Sequence, residues 1–266
     1  MNSKKQKIRL DRLLVERGLS PARERARSLI MSGVVLVNEA VVDKAGTQVS
    51  TDSEIRIKGE DNPYVSRGGL KMKGALEEFG IDARGSVVLD VGVSTGGFTD
   101  CLLQEGAKKV YAVDVGYGQL AWKLRTDERV VLFERENIRY FSGDGIDDEI
   151  DLVTIDVSFI SLKLVIPAVV KLIRKGAVIL ALIKPQFEAG KADVGKKGVV
   201  RDPVVHKRVV EDVVAFSEEI GCRVKGTCES PITGPAGNRE FFLYARYEGS
   251  GSVAVESSRE VKEDKR

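Results

Sequence analysis

Four side chains in this chain have the types and settings to handle a proton or steady a developing charge: Lys71, Asp156, Lys184 and Glu240. Asp156 falls just past an apolar stretch, in Thr154-Ile155-Asp156-Val157-Ser158-Phe159. Lys184 directly follows the seven apolar residues 177–183, in Leu182-Ile183-Lys184-Pro185-Gln186-Phe187. In open α/β sheets, ligands bind outside the carboxyl ends of the strands, which is where both residues fall. The pair permits two readings: a salt bridge capping two strand ends, or a working pair at a reacting centre. Lys71 starts a helix and Glu240 starts the last strand, so both are further candidates for the same edge. A neutral lysine there takes a proton from a hydroxyl; a charged one stabilises the developing oxyanion instead. The single histidine, His206, stands near a helix start, where a structural role is the ordinary one.

A second group of residues reads as a cofactor turn. The segment Leu89-Asp90-Val91-Gly92-Val93-Ser94-Thr95-Gly96-Gly97-Phe98 ends a strand and opens a helix, and its glycines let a ligand approach the backbone closely. Asp114 ends the next strand eighteen residues after Gly96, where a carboxylate accepts hydrogen bonds from both hydroxyls of a ribose. A nicotinamide enzyme offers a similar pattern. Two features favour S-adenosylmethionine: Asp90 suits a cation and repels a pyrophosphate, and the spacing Gly92-x-x-x-Gly96-Gly97 departs from GxGxxG. The cofactor-binding candidates are therefore Asp90, Gly92, Ser94, Thr95, Gly96, Gly97, Phe98 and Asp114, joined by Asn137, which either meets the adenine edge or is a plain turn residue.

The elements that must position these groups follow from periodicity. Apolar strands are predicted at 87–91, 109–113, 130–133, 152–155, 177–183, 223–228 and 240–246, with helices at 70–80, 98–105, 117–126, 161–174 and 203–220. That alternation predicts a doubly wound, mostly parallel α/β sheet. Only a loop separates the last two strands, so the final strand is expected to be antiparallel. Ahead of this lies a smaller unit. Leu10, Leu13 and Leu14 predict a helix over 8–18, and Ser20-Pro21 predicts a second helix start with a serine cap, ending at Gly33. Short strands follow at 34–37, 41–42 and 54–57.

Bulk properties narrow the function classes. With 266 residues, 42% apolar and 31% charged, the chain suits a globular catalytic domain plus a small module. The net charge of +2 says little, but residues 1–27 hold nine Lys/Arg against three Asp/Glu, a local +6. That excess fits either an anionic partner or a solvated helical face. Three cysteines without a CxxC pair, and one histidine, offer no disulfide framework and no metal site. No apolar run approaches the roughly 20 residues that span a bilayer, and the basic N-terminus lacks a secretory core. A cytoplasmic protein is expected.

The motifs also carry a resemblance. The pieces Arg9-Leu10-Asp11, Arg17-Gly18-Leu19, Ala22-Arg23-x-x-Ala26, Leu29-Ile30-x-x-Gly33-x-Val35-x-Val37-Asn38 and Gly46-Thr47-x-Val49 resemble the RNA-binding domain first known in ribosomal protein S-four, with Glu39 in place of the usual turn glycine. Residues 64–71, 90–100, 113–120, 156–161, 182–188, 198–202 and 234–241 resemble the FtsJ-like ribose 2′-O-methyltransferases. As a whole, residues 5–247 resemble the TlyA family, historically labelled hemolysins and now regarded as ribosomal RNA cytidine 2′-O-methyltransferases. Val93 and Glu136 stand where alanine and threonine are usual, without supplying a group to the chemistry. The resemblance implies a Rossmann-like methyltransferase sheet, S-adenosylmethionine as cofactor, ribosomal RNA or ribosomal subunits as partner, and a Lys-Asp-Lys-Glu tetrad falling on Lys71, Asp156, Lys184 and Glu240. Residues expected to meet RNA are Lys7, Arg9, Arg12, Arg23, Arg27 and Arg67. The expected division is an RNA-binding domain at 1–60, a linker at 61–69, a methyltransferase domain at 70–247 and a disordered tail at 248–266. The rivals are a non-enzymatic ribosome-binding protein, which has no need of Asp90, Asp114, Lys184 and Glu240 together, and a membrane-active hemolysin, which needs an apolar or strongly amphipathic segment.

Overall fold

The computed structural model describes residues 7–58, 62–234 and 236–249. The first of these stretches contains β1 (Lys7–Arg9), α1 (Leu10–Glu16), α2 (Arg23–Met31), β2 (Val35–Val37), β3 (Ala40–Val41), β4 (Gln48–Ser50) and β5 (Ile55–Ile57). Leu10, Leu13 and Leu14 of α1 face Ala26, Leu29 and Ile30 of α2, and the two apolar stripes close over Val35, Val37 and Val49. β2 pairs antiparallel with β3 and β5, and β1 pairs with β4.

Several boundaries in this unit differ from the sequence-based expectation. The first helix begins at Leu10, because residues 7–9 are drawn into a strand opposite residues 48–50. The second begins at Arg23, with Ala22 as its cap. The Ser20 hydroxyl is engaged with the Ala22 carbonyl at 3.0 Å, so it caps nothing. At the β2–β3 turn, Asn38 (φ 50°) and Glu39 (φ 64°) both take the left-handed conformation, and Glu39 holds it without the usual glycine while its carboxylate pairs with Arg56 at 2.6 Å.

The larger sheet follows α3 (Gly68–Phe79) and comprises β6 (Val87–Val91), α4 (Gly97–Gln104), β7 (Lys109–Asp114), α5 (Trp122–Arg125), β8 (Val130–Glu134), β9 (Leu152–Ile155), α6 (Leu162–Val169), β10 (Val178–Ile183), α7 (Pro185–Glu188), α8 (Pro203–Glu219), β11 (Cys222–Glu229) and β12 (Phe241–Tyr247). Its strand order is β11-β12-β10-β9-β6-β7-β8, and β12 runs antiparallel to both neighbours. The fold class is thus a mostly parallel, doubly wound sheet with an antiparallel last strand, as expected. Side chains alternate between two cores. Leu89, Val91, Val153, Ile155 and Ile179 pack toward α6 and α8. Val88, Val110, Leu180, Leu182 and Phe242 pack toward α3 and α4. The chain leaves β6 in one direction for β7 and β8, then returns on its other side with β9. The crevice where ligands bind such sheets therefore opens between the carboxyl ends of β6 and β9.

Here too some elements are corrected. The helix expected at 117–126 is only Trp122–Arg125, because Gly118 turns left-handed (φ 69°) and its amide is taken by Glu134 at 2.6 Å. The helix expected at 161–174 stops at Val169; Pro167 removes an amide, and the chain leaves through shorter turns such as Leu172 to Val169. Gly68 and Gly69 open α3 rather than serving as linker, while residues 59–61 of the expected linker lie outside the described residues. The expected tail is described only at Glu248 and Gly249; 250–266 lie outside. Among the described residues, no helix is long and apolar enough to cross a membrane and no cluster of potential metal ligands exists.

Candidate active site

The site grows from the turn after β6. Gly92 has φ 85°, and a Cβ there would sit 2.5 Å from the Asp156 carbonyl oxygen, so the ends of β6 and β9 can meet only across a glycine. Asp114, at the end of β7, ties the neighbouring turns together: the Ser94 amide donates to its Oδ2 and the Gly116 amide to its Oδ1, both at 2.6 Å. Asp90 lies behind the turn, fully buried. The hydroxyls of Thr99 (2.6 Å) and Thr154 (2.8 Å) donate to its two oxygens, and burial pushes its pKa up to about 6.

Two cavities meet at Asp156. One, about 470 Å³, is lined by Gly92, Ser94, Asp114, Asn137, Asp156 and Phe159 among others. The other, about 370 Å³, is lined by Thr95, Gly97, Phe98, Arg67, Lys71 and Asp156, with Ser28 and Met31 of α2 and the following Ser32 completing its wall. The first has the size of a small-molecule site, a glycine cradle and a carboxylate at its rim, so the residues present fit a nucleoside-bearing cofactor.

The four proton-handling candidates converge beside these cavities. Lys71 Nζ lies 2.5 Å from Glu240 Oε2, both side chains being almost fully buried. Lys184 Nζ lies 2.5 Å from Asp156 Oδ1; this contact is ionic, since among the described residues no hydrogen-bond donor is aligned on that oxygen. Lys184 instead donates to the Ser158 hydroxyl at 3.1 Å. The β10–β12 register sets Ile183 opposite Phe241, which brings Lys184 and Glu240 out at the same sheet edge. The arrangement therefore presents two lysines, each steadied by a carboxylate, with Lys71 in the wall of the second cavity and Lys184 held against Asp156, which lines both.

The remaining cofactor candidates divide. Gly92 and Ser94 line both cavities, Asp114 and Asn137 line the first, and Asn137 also accepts the Arg139 amide at 3.1 Å. Thr95, Gly97 and Phe98 line the second, where Phe98 is mostly core and stacks on Phe242 at 6.0 Å between centroids. Gly96 packs against Leu120 and Leu124, and Asp90 touches neither cavity. Of the residues expected to meet RNA, Lys7 is exposed on β1, Arg12 pairs with Glu16, and Arg9, Arg23 and Arg27 all converge on Asp11. Arg67 stands apart from them, donating to the Thr233 carbonyl at 3.1 Å beside the second cavity.

Some residues at the site escape a sequence reading. Ser158 receives Lys184, Phe159 is 90% exposed with φ 64° beside Phe187, and the half-buried Glu188 takes the Ser161 hydroxyl (2.6 Å) and Leu162 amide (2.7 Å), fixing the loop that carries Asp156. Only their nearness to Asp156 and Lys184 in the chain hints at this. His206 holds the Val200 carbonyl through Nε2 at 2.9 Å and packs on Phe241, a structural role.

Comparison with known proteins identifies the family and the fold. The family model described as FtsJ-like methyltransferase matches residues 64–247, and that of the S4 domain matches residues 8–55. A Bacillus subtilis (strain 168) protein provisionally named rRNA methyltransferase YqxC is 52% identical over 96% of this chain and 91% of its own length. The 16S/23S rRNA (cytidine-2′-O)-methyltransferase TlyA of Mycobacterium tuberculosis (strain ATCC 25618 / H37Rv) is 46% identical over 90% of each chain. A solved Streptococcus thermophilus structure bearing a provisional hemolysin name superposes with a TM-score of 0.73 at 43% identity, covering 95% of this chain and 93% of that one. Fold, site and matches define the class: an FtsJ-like methyltransferase preceded by an S4 domain. Within that class the chain belongs to the TlyA family.

Proposed function

We propose that this chain transfers a methyl group from S-adenosylmethionine to the ribose 2′-hydroxyl of cytidine in ribosomal RNA, acting in the cytoplasm. The observation that carries the reading is that Asp156 lines both cavities and Lys71 the second, while their partners Lys184 and Glu240 emerge side by side at the same sheet edge. S-adenosylmethionine, when bound, supplies a methyl group on a good leaving group. Gly92, Ser94, Asp114 and Asn137 would hold it in the first cavity. The chain's own task is then to place a hydroxyl and manage its charge, and positioning supplies much of the rate. A ribose hydroxyl is a poor nucleophile until its proton is shared. Held against the Asp156 carboxylate and oriented by Ser158, Lys184 would act as an aimed ammonium that stabilises the developing alkoxide, the hydroxyl proton passing late to solvent water as the O–C bond forms and the methyl's bond to sulfur breaks. Lys71, held by Glu240, adds a second positive charge from the wall of the other cavity. The Lys184→Ala variant is expected to lose about 10²- to 10³-fold in methyl transfer to unmethylated ribosomal subunits while keeping its S-adenosylmethionine affinity by calorimetry. Turnover at the wild-type rate by that variant would remove Lys184 from the mechanism, and subunits left without any new 2′-O-methyl by the wild-type protein would remove the reaction.

A further inference from the structure

Asp11 is a charged residue with no accessible side chain, set in the first turn of α1. A buried carboxylate persists only when paired, and this one is paired three times over. Arg9 grips it with two bonds, Nε to Oδ1 at 3.0 Å and Nη2 to Oδ2 at 2.9 Å. Arg23 and Arg27 each reach Oδ2 through Nε, at 3.0 and 3.3 Å. These bonds, Arg9's foremost, hold the Asp11 carboxyl far below the usual carboxylate range against the opposing effect of burial. The arginines themselves keep 41%, 52% and 51% of their side chains exposed. Among the described residues, no protein group takes the Nη atoms of Arg23 or Arg27. The Arg9 guanidinium lies against the turn before β4, with its Nη1 at van der Waals distance, 3.4 Å, from where a Cβ of Gly46 would be.

One buried acid thus fixes three guanidiniums that come from β1 and from one face of α2. An unrestrained arginine loses rotamer freedom when it meets a phosphate; here that freedom is already lost in the free protein. The guanidinium fork matches phosphate oxygens in pairs. We infer that Asp11 is a positioning residue, which presents Arg9, Arg23 and Arg27 as one preformed array for neighbouring backbone phosphates of a folded RNA. The inference rests on the RNA-substrate reading above and adds to it the residue that sets the geometry.

The two views of Asp11 differ in sign. As a charge, Asp11 lowers the local positive potential, so Asp11→Asn should tighten RNA binding. As a positioning residue, its loss should weaken binding. The test is filter binding of the full chain to unmethylated ribosomal subunits across several salt concentrations, with S-adenosylmethionine affinity and thermal melting as controls. Asp11→Asn is expected to bind subunits about tenfold more weakly, with a shallower salt dependence and unchanged cofactor affinity. Binding by a folded Asp11→Asn variant that equals or exceeds wild type overturns the inference. Should that variant fail to fold, an Arg9→Lys, Arg23→Lys, Arg27→Lys triple variant keeps every charge but not the forks. It should also bind about tenfold more weakly, and wild-type binding by it overturns the inference equally. A wild-type chain that ignores subunits altogether sinks the RNA reading instead.

Discussion

Lys71 and Glu240 are both taken out of water and satisfy each other across 169 residues of chain. Such a pair is not a large net stabiliser, but breaking it strands a charge, which costs about 3–5 kcal/mol. Lys71→Met alone, or Glu240→Leu alone, should therefore destabilise by roughly that amount in urea unfolding. The double variant should regain most of the loss yet remain inactive in methyl transfer; an active double variant would show the pair to be structural only. Asp90 gives a pH signature. Its folded pKa is raised to about 6, above its unfolded value of about 3.9. For a carboxyl raised on folding, the folded state holds the proton more tightly, so this group favours folding below the unfolded pKa and opposes it increasingly as pH rises through the folded one. Wild-type stability relative to Asp90→Asn should fall between about pH 4 and pH 6, by on the order of 3 kcal/mol, and level off above. A flat difference across that window in urea melts would mean that Asp90 is not held as described.

At the scale of elements, the site depends on two strand ends meeting at the point where the chain reverses its direction of travel across the sheet. The glycine at 92 is required there by the Asp156 carbonyl, 2.5 Å from where a Cβ would lie, and by its positive φ. Gly92→Ala should cost about 1–3 kcal/mol in stability and lower cofactor affinity at least as markedly, read by melting and calorimetry together. Most strands on this sheet were legible as short, largely apolar runs bounded by turns, such as Val178–Ile183, whereas Cys222–Glu229 alternates between exposed residues and buried or half-buried ones. The short helices were less so. Residues 117–121 carry helix-compatible side chains, yet Asp114, Glu134 and Thr95 capture their neighbouring backbone groups and keep them in turns. Likewise β1 and β4 are three-residue strands whose existence depends on each other, and neither has a signal of its own.

Across the whole molecule, the N-terminal unit also supplies part of the wall of the second cavity: Ser28 and Met31 of α2 and its C-cap Ser32 share that cavity with Lys71 and Asp156, and the Arg25 and Ser28 side chains reach the Tyr64 and Val65 carbonyls. A fragment beginning at Asn62 should therefore keep S-adenosylmethionine binding but lose affinity for ribosomal subunits on the order of 10²-fold, together with most of the salt dependence. Retention of full subunit affinity by that fragment, measured by filter binding, would move the RNA contact to the methyltransferase unit. The sequence alone determined the sheet, its antiparallel last strand, the helical pair ahead of it and the positions at which charged residues emerge from apolar strands, because hydrophobic periodicity and turn chemistry are local. It did not determine which charge meets which. That Lys71 pairs with Glu240, that Asp114 holds two turns closed, and that a buried Asp11 gathers arginines from a strand and a helix were decided by the tertiary fold, since burial and strand register bring together groups that no local pattern connects.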